Sequence, residues 1–564
     1  MRDSKSKEVG LHPQLFTVLQ TDHLFSYQFI SESSLFFPCL WLGAPTLNEM
    51  TVNAITGSIG NVARGVAKVV SAVTGASCSG GVSSNVNAFA SAVQRRTPTA
   101  KKPSPLPREL QTHLNGSNRA KMRTAVYRTV PSTRAARAAG FGTLFLRLGW
   151  DKLVGSEAGD KMLPVNSHMR IVETLCRMRG AVMKLGQMLS IQDDNTIPSN
   201  ITSLFERVRD SAYAMPPKQL EQTLAKEYND KNWRQELFKE FITEPIAAAS
   251  IGQVHRAAVS DQDTGEKVAV AVKVQYPGVA QSIDSDVANL RMLMSLNILP
   301  PGMFVDNILD ELQQELKTEC SYSKEAEKQL RYAELLQQSP ELKEVFVVPK
   351  VYKSLSTDRV LVTQMLSGVS IDKLASLVGM QDVKDYVARS MLHLTLTELF
   401  QWRFMQTDPN YSNFLFCPQT NKIGLIDFGA AREYNQEFVK DYLDVVAAAA
   451  RRDRQTVIEK SIKLGFLKGN EMKEMLNAHA ESVLLLGLPF NNRDVPFDFS
   501  KENLPSRIQG YVPTIVRLRL CPPPTPIYSL HRRLSGAILL STKLKATVPS
   551  GELFWNIYDE LTSV

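Results

Sequence analysis

The chain of 564 residues contains no C-x-x-C pair: its cysteines, Cys39, Cys78, Cys176, Cys320, Cys417 and Cys521, are scattered. That pattern suggests neither a zinc site nor a disulfide framework and fits a reducing compartment. A membrane-spanning run is also missing from Arg134 to Trp150. Ala138 to Leu146 gives nine apolar or small residues before Arg147 interrupts, against the roughly 20 that a spanning helix needs. A mean hydropathy of -0.15, with 43% hydrophobic and 22% charged residues, is ordinary globular composition and argues against a polytopic membrane protein. Acidic residues are missing from Met50 to Arg108, where Arg64, Lys68, Arg95, Arg96, Lys101, Lys102 and Arg108 are basic. Much of the net charge of +8 comes from this one segment, so no nucleic-acid surface is implied. Val62, Val66, Val69 and Val73 recur there at helical spacing ahead of Ser- and Pro-rich sequence. The segment reads either as a mitochondrial transit peptide or as a disordered basic linker. Residues 1–49 carry acidic and aromatic residues in no signal-peptide order, so either they are an upstream extension, with translation able to begin at Met50, or the transit reading fails.

What the chain does contain is centred on Phe404 to Gly429, FMQTDPNYSNFLFCPQTNKIGLIDFG. Asp408 is followed five positions later by Asn413; a short alternating strand, Lys422 to Ile426, then leads into Asp427-Phe428-Gly429. Two acids and an amide joined by a strand suit a divalent metal on a nucleotide. Protein kinases use the same order, the first Asp orienting the acceptor and the Asn and second Asp ligating magnesium. Here Gln406-Thr407 stands in place of His-Arg. A lone Asp-Phe-Gly also makes an ordinary turn, so the paired spacing carries the argument.

Upstream, a nucleotide-binding lobe opens near Pro245. Ala247, Ala248, Ala249 and Ser250 lead into one strand and Val268 to Val274 form the next, with Lys273 in the position of the kinase strand lysine. Alanines stand where glycines would let the backbone approach phosphate closely. Asn307 to Leu336 reads as one helical stretch whose Glu311, Glu315, Glu319 and Glu325 all qualify as the lysine's partner, most of them being read as solvated charges. Met365 follows the strand Arg359 to Thr363, where a kinase places its interlobe hinge, and Asp385 to Trp402 reads as the helix beneath the catalytic loop. Two earlier helices are legible. His168 to Leu189 has an apolar face crossed by a polar stripe of Arg177, Gly180, Lys184 and Gln187. Arg134 to Lys152 reads equally as an interfacial helix at anionic headgroups or as a soluble packing helix.

From about Val130 onward these motifs resemble the UbiB-type atypical kinase-like (aarF-domain) family, specifically its eukaryotic mitochondrial branch for ubiquinone (coenzyme Q) biosynthesis. The matching stretches are Lys184-Leu185-Gly186-Gln187, the alanine-rich loop, Val270 to Gly278, Glu319-Cys320, Asp408-Pro409-Asn410 and Cys521 to Pro524. The resemblance implies an α+β, two-lobed, atypical protein-kinase-like fold with a helical N-terminal extension packed over the active site. It divides the chain into a targeting or disordered segment, 1–110; a basic linker with a membrane-proximal helix, 111–165; the family extension, 166–244; a first lobe, 245–366; and a second lobe, 367–564.

The same resemblance implies a set of roles. Asp408, Lys273 and Glu325 are the expected catalytic group, with Glu325 pairing Lys273. Ala247, Ala248, Ala249, Ser250, Lys273 and Met365 would meet ATP or ADP, and Asn413 and Asp427 would hold Mg2+. Lys184, Gln187 and Glu319 would form a regulatory contact in which the extension blocks a protein-substrate groove. Ser321 stands where the family pattern has Asp, so a carboxylate is expected to be missing from that contact. Expected partners are the ubiquinone-biosynthesis enzyme complex, anionic inner-membrane lipids such as cardiolipin and prenylated quinone precursors, with a homodimer left open. The expected location is the matrix face of the mitochondrial inner membrane. The implied function is an ATPase supporting ubiquinone synthesis, the other readings being a protein kinase or a nucleotide-binding scaffold.

Overall fold

The computed structural model describes Lys184 and residues 214–261, 264–294 and 304–563. The expectations for 1–110 and 111–165, and for 166–213 apart from Lys184, concern residues outside these; Gln187 and the helix Arg134 to Lys152 are among them.

Helices α1 (Pro217–Glu227) and α2 (Trp233–Leu237) lead into the antiparallel strands β1 (Glu240–Ala248), β2 (Gly252–Ser260) and β3 (Lys267–Gln275). β1 begins ahead of Pro245, and Leu220, Leu224, Trp233 and Phe241 pack in one core with Val270, Val272 and Val274. Residues 214–244 therefore help build the first lobe's core. Alternation along β3 sends Val270, Val272 and Val274 to that core and Lys273 to the opposite face.

Next come α3 (Val279–Met294), α4 (Val305–Glu319), α5 (Tyr322–Gln338), α6 (Leu342–Val345), β4 (Phe346–Val347) and β5 (Val360–Gln364), and β5 completes the sheet in the order β1-β2-β3-β5. The helical stretch read from Asn307 to Leu336 consists of the two helices α4 and α5. Ser321 is extended (φ -110°, ψ 102°), and its hydroxyl accepts from the Lys324 amide as the N-cap of α5.

The second lobe contains β6 (Val369–Ser370), α7 (Gln381–Leu396), β7 (Phe404–Gln406), β8 (Phe414–Cys417), β9 (Lys422–Leu425) and β10 (Ala431–Glu433). Here β4, β9, β8 and β6 form a second small sheet and β7 pairs with β10. A π-turn, Thr397–Gln401, prolongs α7, and its Glu398 accepts from the Gln406 amide. Apart from a short antiparallel pair, Phe497–Asp498 with Thr547–Val548, the remainder is helical: α8 (Gln436–Ala450), α9 (Arg454–Lys463), α10 (Lys473–Gly487), α11 (Leu504–Gln509), α12 (Val512–Leu518), α13 (Thr525–Lys543) and α14 (Ser550–Thr562). Phe404, Phe414, Phe428, Leu530 and Phe554 share the core of this lobe. Among the described residues no helix is long and apolar enough to cross a membrane.

Candidate active site

Lys273 leaves the cleft face of β3 and its Nζ donates to both carboxylate oxygens of Glu325 on α5, at 2.7 and 2.9 Å. The same ammonium lies 3.3 Å from Oδ2 of Asp427 and 5.0 Å from the ring centre of Tyr322. Of the four glutamates left open by spacing, Glu325 is the partner. Burial works against the charged form of Lys273, but Asp427 and Glu325 outweigh it and hold its pKa well above the ordinary value. For Glu325 the balance runs the other way: burial raises its pKa, and Lys273 offsets this only in part. Asp427 is also pushed up by burial, yet Lys273 and the Gly429 amide, which donates to Oδ1 at 3.0 Å, bring it below the usual carboxylate range.

The loop expected to be catalytic is built around Asp408, whose Oδ2 accepts from Asn413 Nδ2 at 3.0 Å and whose Oδ1 accepts from the Asn410 amide at 3.2 Å. Asn413 also accepts from the Ile426 amide through its carbonyl, which ties it to the residue before Asp427. Gln406 and Thr407, which replace the kinase His-Arg, both hold the backbone of the Asp427 segment. Gln406 Nε2 donates to the Asp427 carbonyl at 3.1 Å and Thr407 Oγ1 to the Ala430 carbonyl at 2.8 Å. Phe428 is fully buried, 5.0 Å from Tyr332. At Gly429 a Cβ would be tight against Glu319 at 3.3 Å and in contact with Asp427 at 3.4 Å and Glu325 at 3.5 Å, so three carboxyl side chains converge on this glycine.

The donor set suits magnesium. Asp427 supplies a carboxylate held in its charged form, and Asn413, whose amide nitrogen is bound to Asp408, has its amide oxygen left as a hard ligand. Among the described residues no group of three or more His, Cys, Asp or Glu side chains forms a metal cage. Magnesium commonly takes one or two protein carboxylates and completes its shell with water and substrate phosphates.

Lys184 is buried, ion-paired to Glu319 and 3.7 Å from Glu315. Burial opposes its charge, and Glu319, Glu315 and Asp408 overcome that opposition and raise its pKa. The second carboxylate of this contact is therefore Glu315. Position 321 does not face Lys184: the Ser321 hydroxyl is 2.5 Å from Asp358. An aspartate there would meet Asp358 rather than restore a partner to Lys184.

Glu311, Glu315 and Glu319 succeed one another at four-residue spacing on α4 and none is solvated. The side chains are 2%, 9% and 10% exposed and pair with Arg432, Arg532 and Lys184 respectively. This corrects the expectation that most of these glutamates are surface charges. Arg432 and Arg532 had no signal in the sequence because their partners lie more than a hundred residues away. Lys328, whose Nζ donates to the Gly429 carbonyl at 2.7 Å, was also missed. Its signal was available: it lies one helical turn from Glu325 on α5.

The alanine-rich segment ends β1 and turns into β2. Ala247 and Ala248 are exposed and pair with Val254 and Gln253; the Ala249 amide donates to the Gly252 carbonyl. Ser250 Oγ, at 3.5 Å, reaches Glu319 and so joins the Lys184 cluster. Met365 stands just beyond β5, where its amide donates to the carbonyl of Ala269 at 3.0 Å; its side chain makes no hydrogen bond or ion pair with the Lys273 cluster.

The long helix α13 lies close on the catalytic loop. A Cβ at Gly536 would fall 2.4 Å from Cβ of Pro409, and the Gly536 carbonyl accepts from Tyr411 at 3.1 Å. Gly536→Ala must therefore displace the loop carrying Asp408. A misplacement of about 1 Å at a reacting group can cost roughly 100-fold in rate. Steady-state turnover is expected to fall by about that factor while magnesium-dependent nucleotide binding persists. An unchanged turnover number would show that the loop absorbs the methyl group.

The model of the ABC1 atypical kinase-like domain matches residues 207–461. A Caenorhabditis elegans protein, "Atypical kinase coq-8, mitochondrial", is 41% identical over 83% of this chain and 62% of its own length. The chain thus spans less than two thirds of that relative. "Atypical kinase COQ8B, mitochondrial" of Danio rerio is 42% identical over 77% of this chain and 69% of its own. "Atypical kinase COQ8, mitochondrial" of Saccharomyces cerevisiae is 37% identical over 76% of this chain and 86% of its own.

Proposed function

Because the chain belongs to the ABC1 atypical kinase-like family, we propose that it is a magnesium-dependent ATPase of mitochondrial ubiquinone biosynthesis. The observation that carries this reading is the Lys273-Glu325-Asp427 cluster, in which one ammonium lies between a helix carboxylate and the carboxylate suited to metal. Bound Mg2+-ATP would be held through Asp427 and Asn413 and would supply the transferable phosphoryl group. Lys273, fixed by Glu325, is aimed to meet nucleotide phosphates from β3. Asp408, oriented by Asn413, is the base that positions an attacking hydroxyl or water. Gln406 and Thr407 keep the Asp427 segment against this loop by binding its backbone.

The protein-kinase reading is less favoured because Lys184 is held by Glu319 and Glu315 and lies within electrostatic reach of Asp408. In our reading the segment carrying Lys184 covers the groove that a protein substrate would use. The physiological setting is the matrix face of the inner membrane, beside the ubiquinone-biosynthesis complex, anionic lipids such as cardiolipin and prenylated quinone precursors. Phosphate release by the purified chain, measured with and without cardiolipin-containing vesicles, tests the reading. Hydrolysis that requires magnesium and rises with vesicles supports it; absence of hydrolysis under both conditions overturns it.

Lys184→Ala separates the two kinds of enzyme. Losing one partner of a buried ion pair costs about 3–5 kcal/mol when the other stays charged. Glu319, whose pKa burial already raises, can reduce that cost by taking up a proton. The contact is expected to loosen, with labelled phosphate incorporated into the protein itself severalfold faster and phosphate release diminished. Parent-level values for both would make Lys184 a packing residue.

A further inference from the structure

Away from the nucleotide cleft, a cavity of about 400 Å³ lies among helices α8, α10, α12 and α13, within the range of small-molecule sites. Its walls are mostly hydrocarbon, Val446, Phe466, Leu486 and Ile538 among them. Polar side chains also line it, and the state of Arg519, Tyr528, His479 and His531 is unusual for an apolar cavity. Arg519 is half-buried and, among the described residues, its guanidinium has no ion pair or hydrogen bond. The buried hydroxyl of Tyr528 has no hydrogen-bond partner. His479 and His531 have pKa values lowered to about 4, by burial first and by Arg519 next, so neither supplies a charge at neutral pH. Arg519 also acts electrostatically on Tyr528, which places one guanidinium within reach of all three.

The other charged groups nearby are already engaged. Glu471, which acts on His479, accepts from the amides of Lys468 and Gly469. Glu311, which acts on Tyr528, is bound to Arg432. Arg532 lines the cavity but binds Glu315 and the Thr407 carbonyl. A half-buried guanidinium beside a buried, unpaired hydroxyl offers an anion two donors at the edge of a hydrocarbon-walled space.

We propose that this cavity binds a single-chain amphiphile, its tail among Val446, Phe466, Leu486 and Ile538 and its anionic head, a carboxylate or a phosphate monoester, between Arg519 and the Tyr528 hydroxyl. The head requirement follows from the unpaired donors, because a neutral hydrocarbon would fill the volume and leave both unsatisfied. Nucleotide chemistry plays no part in this site, so its test is run without nucleotide and stands apart from the ATPase reading.

The experiment is calorimetric titration of the full chain, below micellar concentrations, with dodecanoate and with farnesyl monophosphate. Dodecanol serves as the neutral-head control, and acetate and inorganic phosphate as heads without tails. At least one anionic amphiphile is expected to bind tenfold or more tightly than dodecanol, with no binding of acetate or phosphate. The tighter of the two distinguishes a fatty-acyl from a prenyl source. Arg519→Gln is expected to lose at least tenfold, about 1.4 kcal/mol. Tyr528→Phe removes only an unpaired hydroxyl, folds as the parent does, and is expected to lose severalfold. Equal binding of dodecanol, absence of binding by both anions, or parent affinity in Tyr528→Phe overturns the proposal.

Discussion

Asp427→Asn is expected to remove magnesium-dependent stabilisation by ATP and to lower phosphate release by at least about 100- to 1,000-fold, the cost of losing a preorganised group that stabilises transferring charge. The substitution is nearly isosteric. Its amide oxygen can still accept from the Gly429 amide, so the turn that Asp427 makes at 3.0 Å is kept. What disappears is one negative charge, and the carboxyl at this position is held below its usual range by Lys273 and Gly429 against burial. Lys273 keeps Glu325 at 2.7 and 2.9 Å, so the fold without nucleotide should lose little. The loss therefore falls on the metal-nucleotide complex. Thermal unfolding with magnesium alone, ATP alone and both together reads it directly. A variant whose midpoint still rises when both are present would show that the metal is held elsewhere. Asn413→Ala should be damaging for a second reason, because its amide nitrogen also orients Asp408.

The residues that meet around Lys273 were legible in the chain to the extent that they are local or belong to a spaced motif. Asp408, Asn413 and Asp427 lie within one hairpin, so spacing alone brings them to neighbouring strand ends. Lys273 stands within an apolar strand, and alternation decides its face. Periodicity failed on α4. It placed Glu311, Glu315 and Glu319 on one face but did not say what that face meets. The answer lies in Arg432, Arg532 and Lys184, from remote parts of the chain, which allow the carboxylates to be buried. The break before α5 falls at Ser321, which against the family pattern reads only as a missing carboxylate. Serine is also a common helix N-cap, and that is its place here. The start of β1 was missed for a further reason. Glu240 to Ala248 alternates poorly and carries register shifts around Pro245, so it has little of the period-two signal of a half-buried strand.

Behind the catalytic loop, Arg533→Met is expected to cost the fold about 3–5 kcal/mol, the range for breaking a buried ion pair. Glu398 is fully buried and accepts four hydrogen bonds: from the Tyr332 hydroxyl at 2.6 Å, the Gln406 amide at 3.2 Å, and Nε and Nη2 of Arg533 at 3.2 and 3.0 Å. Methionine fills much of the arginine volume but removes the countercharge, leaving a carboxylate among hydrocarbon. Burial already raises the Glu398 pKa against the pull of Arg533, and without the guanidinium it must rise further. The sign of the pH dependence follows. A carboxyl whose folded pKa exceeds its unfolded value of about 4.3 binds more protons in the folded state between those values, so stability is gained as pH falls through that window. The deficit relative to the parent should therefore be largest near neutrality and should narrow toward pH 5. Removing both partners in Glu398→Leu, Arg533→Met should recover part of the loss, since no buried charge remains. The recovery is incomplete because the Gln406 amide and the Tyr332 hydroxyl then lack their acceptor. Urea unfolding of both variants at several pH values measures all three expectations. A single variant as stable as the parent at neutral pH would mean that Glu398 is protonated in the parent and that Arg533 serves only to pack against Phe414, 4.9 Å from its guanidinium.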